Sequence, residues 1–357
     1  MQVNAWTAPA PGEVMVLTER EESPGPGEVI VAVAGCGICH TDLGFFYEGV
    51  PTRHAFPLTL GHEISGKVVE AGDGADGWMG AEVVVPAVIP CGSCPACDSG
   101  HGAICRKQIF PGNDVHGGFA SHVRVPAVGL CRVPDLADAS VNPAGVDLPT
   151  LSVMADAVTT AYQAIVKSGL GAGDLAVFVG AGGVGGFGVQ IAAALGAVVV
   201  ALDVDDDRLK QMREHGATLA LRTDEIGFRD LKKQIKGLAK EHGIPGWRQK
   251  IFETSGVAAG QTTAYGLLGQ GGYLAVVGFT AEKVTIRLAN LMAFDAKAEG
   301  TWGCLPEHFP AVLDLVLAGK VALAPFAEHR PLSTINETFE DLKAHRVTKR
   351  VVLIPEA

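Results

Sequence analysis

The chain is poor in aromatic residues and in charge. Phe, Tyr and Trp make up 6% of its 357 residues, and Asp, Glu, Lys and Arg 19%. With 48% hydrophobic residues, so low a charge content excludes a disordered polyelectrolyte. Basic residues are in the minority, 28 against 39 acidic ones, for a formal net charge of −11. Nucleic-acid binding draws on a basic face, so no nucleic-acid partner is expected. An acidic average still allows a local basic pocket for one anionic substrate. No apolar run approaches the roughly 20 residues of a membrane span. The first residues, MQVNAWTAPAPGEV, lack a charged start followed by an apolar stretch, so they do not read as a secretory signal. The expectation is a cytoplasmic protein without a membrane partner. Its eight cysteines are then thiols or metal ligands rather than disulfides.

Glycine, by contrast, is abundant at 46 residues, which suits many tight strand-to-helix turns. The length implies two domains with real cores. Up to about residue 150 the pattern is short β-branched runs between turn residues, as at 28–33, 64–69 and 81–85. A β-rich, barrel-like domain fits this half. From about 153 helical spacing appears at 154–168, followed by an unbroken apolar run, Leu175–Val179, as in a strand buried on both faces. Helix and strand patterns then alternate over 186–195, 198–202, 208–215, 228–242, 250–253, 259–268 and 272–277. Such alternation predicts a doubly wound parallel sheet, and hence an α/β fold. A helix at 309–317, a helix-like stretch at 335–345 and a strand at 351–354 close the chain.

Gly180, Gly182 and Gly185, with Gly183 and Val184 among them, form a G-x-G-x-x-G turn. It directly follows the buried strand and opens a helix, the context in which this pattern cradles a dinucleotide pyrophosphate. Asp203 ends the next strand, 18 residues beyond Gly185. A carboxylate there accepts the adenosine ribose hydroxyls and repels a 2′-phosphate. With Asp205, Asp206 and Asp207 beside it, NAD is expected rather than NADP.

Two groups of metal-binding residues stand out. Cys91, Cys94, Cys97 and Cys105 are spaced C-x2-C-x2-C-x7-C. Four thiolates in one loop suit a closed structural Zn²⁺ site; an iron–sulfur cluster is the chemical competitor. The second group is scattered: Cys39-His40-Thr41-Asp42, Gly61-His62-Glu63, and Asp156. Singly, a His or Cys in an apolar half is more often core than ligand.

In combination, the order of these segments resembles the zinc-dependent medium-chain alcohol dehydrogenases over essentially the whole chain. The resemblance implies a GroES-like catalytic domain, 1–153 with 299–357, and a Rossmann NAD-binding domain, 154–298. It implies two zinc ions, with Cys39, His62 and Asp156 as ligands of a catalytic one and the four-cysteine lobe holding the other. Asp156 stands where some members have Cys. Glu63 matches a carboxylate that can ligate transiently, and Thr41 the hydroxyl that bonds the substrate oxygen. His40, Arg208, Val277 and Arg350 fall at cofactor-binding positions, His40 and Arg350 near the pyrophosphate. One position departs from several members: Gly44 stands where they carry a proton-relay His. His54 is near in sequence, and a surface His is its plainer reading.

A narrower resemblance, at 110–120 and 292–303, is to the 6-hydroxycyclohex-1-ene-1-carbonyl-CoA dehydrogenases of anaerobic aromatic degradation. These oxidise a cyclic allylic alcohol, carried as a CoA thioester, to the conjugated ketone. Arg53, Lys297 and Arg287 are the candidate cations for CoA phosphates, although solvated charge is the plainer reading of each. Alternatives are a free secondary or aromatic alcohol as substrate, zinc-assisted water addition to the conjugated enoyl-CoA, and a non-catalytic binding protein on the same fold. The resemblance also implies a homotetramer, otherwise a dimer, with the strand at 272–277 extending a sheet across subunits.

Overall fold

A computed structural model describes residues 1–356. The chain divides into two compact units, 1–159 with 303–357, and 160–302.

The first unit opens with an antiparallel hairpin, β1 (Gln2–Thr7) and β2 (Val16–Glu21). β3 (Glu28–Gly37) follows and leads into a short helix, α1 (His40–Tyr47). Then come β4 (Glu63–Ala71), β5 (Glu82–Val85), the single-turn α2 (Pro95–Asp98), β6 (His122–Pro126) and β7 (Cys131–Arg132). The expected β-rich texture is present. β3 is central, pairing with β4 on one side and with β6 on the other, and Val29, Ile30 and Val31 are all fully buried. β4 continues the sheet to β5 and β5 to β7. The core gathers Leu58, Leu60, Ile64, Val83 and Phe119.

α3 (Ala157–Ser168) carries the chain into the second unit. There the elements run β8 (Leu175–Val179), α4 (Gly183–Ala194), β9 (Val198–Asp203), α5 (Asp206–Glu214), β10 (Leu219–Arg222), α6 (Phe228–Glu241), β11 (Gln249–Glu253), α7 (Ala258–Leu267), β12 (Tyr273–Val276), α8 (Ala289–Phe294) and β13 (Lys297–Gly300). All six strands are parallel, in the order β10-β9-β8-β11-β12-β13. The order reverses between β8 and β11, the switch point where doubly wound sheets bind their ligands. β8 is buried along its whole length, as its apolar run predicts.

One expectation is corrected. β12 pairs with β11 on one side and β13 on the other, so the 272–277 strand has no free edge from which to extend a sheet. The free edge belongs to β13, whose sequence KAEG carries no apolar signal.

The chain then returns to the first unit through α9 (Phe309–Leu317), β14 (Ala327–Pro331), α10 (Ile335–Lys343) and β15 (Arg350–Ile354). β15 pairs with β3 at Cys36 and Gly37, and Val351 and Leu353 join the first unit's core. Among the described residues no helix is long and apolar enough to cross a membrane.

Candidate metal centres and nucleotide cradle

The four-cysteine lobe has almost no regular structure, only α2 and a turn at Gly102–Ile104. Its sulfurs nevertheless converge. Cys94 Sγ lies 3.5 Å from Cys97 and 3.7 Å from Cys105, and Cys91 Sγ lies 3.6 Å from Cys105 and 4.0 Å from Cys97. A tetrahedron with zinc–sulfur bonds of ~2.3 Å has edges of ~3.8 Å. The lobe is therefore sized for one ion. An iron–sulfur cluster interposes several metal and sulfide atoms and would hold the cysteines further apart. The backbone N–H of Ser93 pulls the Cys91 thiol down to about 6, and that of Cys97 lowers Cys94. Burial pushes Cys97 up to about 11 in the same cluster. Four adjacent thiolates repel one another, and a divalent cation removes that conflict.

The scattered residues also converge, within the first unit. Cys39 is the N-cap of α1, where its backbone N–H donates to Asp42 Oδ2 at 2.9 Å. His62 and Glu63 stand at the start of β4, and Asp156 just before α3. One ligand atom from each of Cys39, His62, Glu63 and Asp156 falls within 4.8 Å of the others. Asp156 Oδ2 is 3.4 Å from Cys39 Sγ and 3.6 Å from His62 Nε2. Zinc bonds of ~2.0–2.3 Å set tetrahedral edges of about 3.3–3.6 Å for such donors. The His62 ring is 1% exposed; an Asp42 carboxylate oxygen lies 3.3 Å behind Nδ1, and Nε2, which faces Asp156, makes no hydrogen bond. A buried imidazole nitrogen without a partner is costly unless something binds it. Donor set, spacing and orphaned nitrogen all fit a metal ion.

Asp42 is the member of this site that the sequence reading missed as a functional residue. It is fully buried, and its Oδ1 lies 3.3 Å from His62 Nδ1 while accepting the Gly61 N–H at 3.1 Å. A carboxylate behind a ligating histidine sets the ring's orientation and basicity. Asp42 was visible in the Cys39–Asp42 segment, but its reach to Gly61 was not. Phe110 packs edge-on against His62, ring centroids 4.8 Å apart.

Glu63 is fully buried and paired with Arg350, whose Nη1 lies 2.7 Å from Oε1 and also donates to the Ile38 carbonyl. Burial pushes the Glu63 carboxyl up to about 7 against the opposing pull of that guanidinium. Arg350, expected at the cofactor phosphates, is here committed to Glu63. Thr41, on the first turn of α1, has Oγ1 3.7 Å from Cys39 Sγ, and His40 is exposed. His54 is turned elsewhere: Nδ1 lies 2.6 Å from the Ala55 carbonyl, and its ring packs on His116.

In the second unit the glycine turn caps the C-terminal end of β8. Gly180 has φ +96, a conformation that L side chains rarely adopt. A Cβ on Gly185 would run into the Gly180 carbonyl oxygen, so this glycine is required by the fold itself. Gly182 differs. A Cβ there meets only Arg208 Nη1, at 3.8 Å, so the protein leaves open space above the N-cap of α4. Gly183 is exposed and Val184 half-buried beside it. That opening at a helix N-terminus fits a phosphate group. Asp203 is 7% exposed and already accepts the backbone N–H groups of Ala181, Val204 and Asp205. It therefore ties the glycine turn to the end of β9 while keeping lone-pair capacity for a ligand. Arg208 Nη1 lies 3.8 Å from Asp203 Oδ1.

A second unforeseen residue, Glu253, ends β11 with its side chain fully buried. Its Oε1 accepts the Ser255 and Gly256 N–H groups, its carbonyl accepts those of Val277 and Gly278, and Oε2 has no partner. It holds together the loops after β11 and β12 at the switch point. Of the cations considered for CoA, Arg53 pairs with Asp114 at 3.1 Å and Lys297 with Glu299 at 2.6 Å; Arg287 makes no ion pair among the described residues.

The chain is similar to known proteins over nearly its whole length. A family profile described as "Alcohol dehydrogenase GroES-like domain" matches residues 25–135, and one described as "Zinc-binding dehydrogenase" matches 183–318. An alcohol dehydrogenase of Geobacillus stearothermophilus is 30% identical over 330 residues, which is 92% of this chain and 91% of its own. Among solved structures, an alcohol dehydrogenase from Thermotoga maritima superposes with a TM-score of 0.87 at 26% identity, covering 100% of both chains. Acetophenone reductase from Geotrichum candidum, solved in complex with NAD, gives 0.84 at 25% identity, covering 99% of this chain and 97% of that one.

Proposed function

Because the chain belongs to the zinc-dependent medium-chain alcohol dehydrogenase family, we propose that it oxidises a secondary alcohol to the ketone with NAD, using Cys39, His62 and Asp156 to hold the reactive metal. The observation that carries this reading is the buried His62 Nε2, without a hydrogen bond, set beside Asp156 and Cys39. Zinc there supplies Lewis-acid polarisation of the substrate oxygen, and NAD supplies the hydride acceptor.

The chain's own residues do the rest. Asp42 fixes the His62 ring from behind. The Thr41 hydroxyl, beside Cys39, takes the alcohol proton. Arg350 stabilises the anionic form of buried Glu63, which stands ready as an additional oxygen donor. In the second unit the open space over Gly182 receives the pyrophosphate, and Asp203 takes the ribose hydroxyls. The first unit is thus the catalytic one and the second the dinucleotide-binding one.

The finer substrate we propose is a cyclic allylic alcohol carried as a CoA thioester, on the likeness at 110–120 and 292–303. A free secondary or aromatic alcohol is the competitor, and the Arg53 and Lys297 ion pairs favour it by leaving less free charge for phosphates. The test is NADH formation with 6-hydroxycyclohex-1-ene-1-carbonyl-CoA, cyclohexanol and benzyl alcohol, run beside a metal count. Two zinc ions per chain and oxidation of the thioester above the others are expected. Equal or faster turnover of the free alcohols would overturn the CoA assignment. No NADH from any of them, with one zinc retained, would overturn the catalytic reading.

A further inference from the structure

Alcohol oxidation delivers a proton to Thr41, and that proton needs a way out. Thr41, Gly44 and Glu48 are spaced i, i+3 and i+7 along α1 and its C-cap, so they share one face of the helix. Thr41 is half-buried, Gly44 is buried and has no side chain to fill the stripe, and Glu48 at its outer end is exposed.

The gap at Gly44 is overhung by the Glu48 side chain. A Cβ built on Gly44 would lie 3.9 Å from Glu48 Oε2 and 3.4 Å from Val50 Cγ2. The turn that brings both back is closed by the Gly44 carbonyl, which accepts the Glu48 and Val50 N–H groups at 3.2 Å each. The Glu48 carboxylate has no hydrogen bond or ion pair among the described residues. On α10, which packs on α1 through Phe339 and Phe46, the Glu340 carboxylate is occupied, accepting the Tyr47 hydroxyl at 2.6 Å. The Lys343 ammonium sits over the Tyr47 ring at 4.1 Å.

Seven helical residues rise about 10 Å, and a helical side chain leans back towards the N-terminus. Glu48 Oε2 reaches back to 3.9 Å from where a Gly44 Cβ would lie, and Gly44 is one helical turn, about 5 Å of rise, from Thr41, a stretch that one or two waters at ~2.8 Å per hydrogen bond would span. The alternatives are turned away. His54 is held on the Ala55 carbonyl, and His40, adjacent to Thr41 in sequence, faces another side of the helix.

We propose that Glu48 is the proton acceptor that drains Thr41, through water held over Gly44. This rests on the dehydrogenase reading above. As the hydride leaves the alcohol carbon for NAD, the hydroxyl proton passes to Thr41 Oγ1. Thr41 releases its own proton to the bridging water, and the water releases one to the Glu48 carboxylate. The resulting carboxylic acid is exposed and returns the proton to solvent. Each donor regains a proton as it loses one, so only one proton leaves per hydride.

The test is a single turnover of the zinc-loaded enzyme with NAD and cyclohexanol, or the cyclic hydroxyenoyl-CoA if only that is oxidised. A pH-indicator dye follows the proton and absorbance follows NADH. Glu48→Gln slows proton appearance about a hundredfold, the lower end of the range for a lost acid–base group. The final yield stays at one proton per NADH. Glu48→Asp is intermediate and Glu340→Gln matches wild type. Gly44→His combined with Glu48→Gln restores the rate, because an imidazole at i+3 reaches the Thr41 hydroxyl directly. A structural defect would not be rescued in this way, and melting curves of each variant check the fold. Wild-type proton release in both Glu48→Gln and Glu48→Ala would overturn the proposal. No NADH from the wild-type enzyme with either substrate would instead bring down the dehydrogenase reading, and this proposal with it.

Discussion

Gly182 and Gly185 sit in the same turn for different reasons, and replacing each with alanine separates cofactor binding from folding. At Gly182 φ is −73 and ψ −152, at the border of the β region and with φ negative, so alanine meets only a small conformational barrier. The nearest protein atom to the new methyl is 3.8 Å away. Losing glycine's flexibility stabilises by ~0.4–1 kcal/mol, and alanine's poorer N-capping takes back about as much. Stability without ligand should therefore stay within about 1 kcal/mol of wild type. The methyl instead occupies the space proposed for the pyrophosphate. Overfilling a close-packed contact costs ~1–3 kcal/mol, which weakens NADH binding about 5- to 150-fold. At Gly185 the added Cβ would collide with the Gly180 carbonyl and crowd Thr254 Oγ1. That strain falls on the folded state itself, so Gly185→Ala lowers stability as well as affinity. Denaturant melts of the ligand-free variants and NADH fluorescence titrations measure the two quantities. An unchanged NADH affinity in Gly182→Ala, or a loss of stability equal to that of Gly185→Ala, would refute the argument.

Asp42→Asn should weaken retention of the metal at Cys39, His62 and Asp156 about 10- to 100-fold while the lobe keeps its ion, read by chelator competition. Cys91→Ser should cost one zinc per chain by elemental analysis and destabilise the protein more than it alters the choice of substrate. Asp203→Gly should relax the preference for NAD over NADP, and should also weaken NADH itself, because three backbone N–H groups lose their acceptor; an unchanged NAD-to-NADP ratio would count against the ribose assignment. His116 is pushed down to about 4, first by burial and then by the charges of Arg20, His54 and Arg124. Its depressed folded-state pKa means that its contribution to stability is complete above about 6.5 and is lost as the pH falls towards 4. Melts of wild type and His116→Gln across that window should diverge, with the variant the flatter of the two.

How legible each feature was in the sequence follows from how local its cause is. Leu175–Val179 reads as a strand because burial on both faces leaves an uninterrupted apolar run. Lys297–Gly300 does not, because an edge strand needs no apolar pattern to be paired. The lobe cysteines are close in sequence, and their spacing alone announces a metal. Cys39 and Asp156 are 117 residues apart, and no periodicity links them; resemblance brought them together before the fold did. Glu253 looks like an ordinary acid at a strand end. Its burial is set in part by the loop after β12, which is not local to it. Gly44 was visible as a departure, whereas the carboxylate over it depends on the turn at Glu48 to Val50.

The Glu63–Arg350 pair ties together positions 287 residues apart, across a unit encoded wholly between them. Synthesis is vectorial at ~5–20 residues per second, so Glu63 leaves the ribosome roughly 15–60 s before its partner. Before that interval ends the intervening parallel-sheet unit has all of its own strands, the last of which closes at Gly300. The first unit still lacks β14 and β15, and its carboxylate has no counter-charge, so the cost of burying that acid holds this half open. The order of birth thus favours a completed nucleotide fold waiting on an unfinished metal centre, and a chain interrupted just before Arg350 would carry the first without the second.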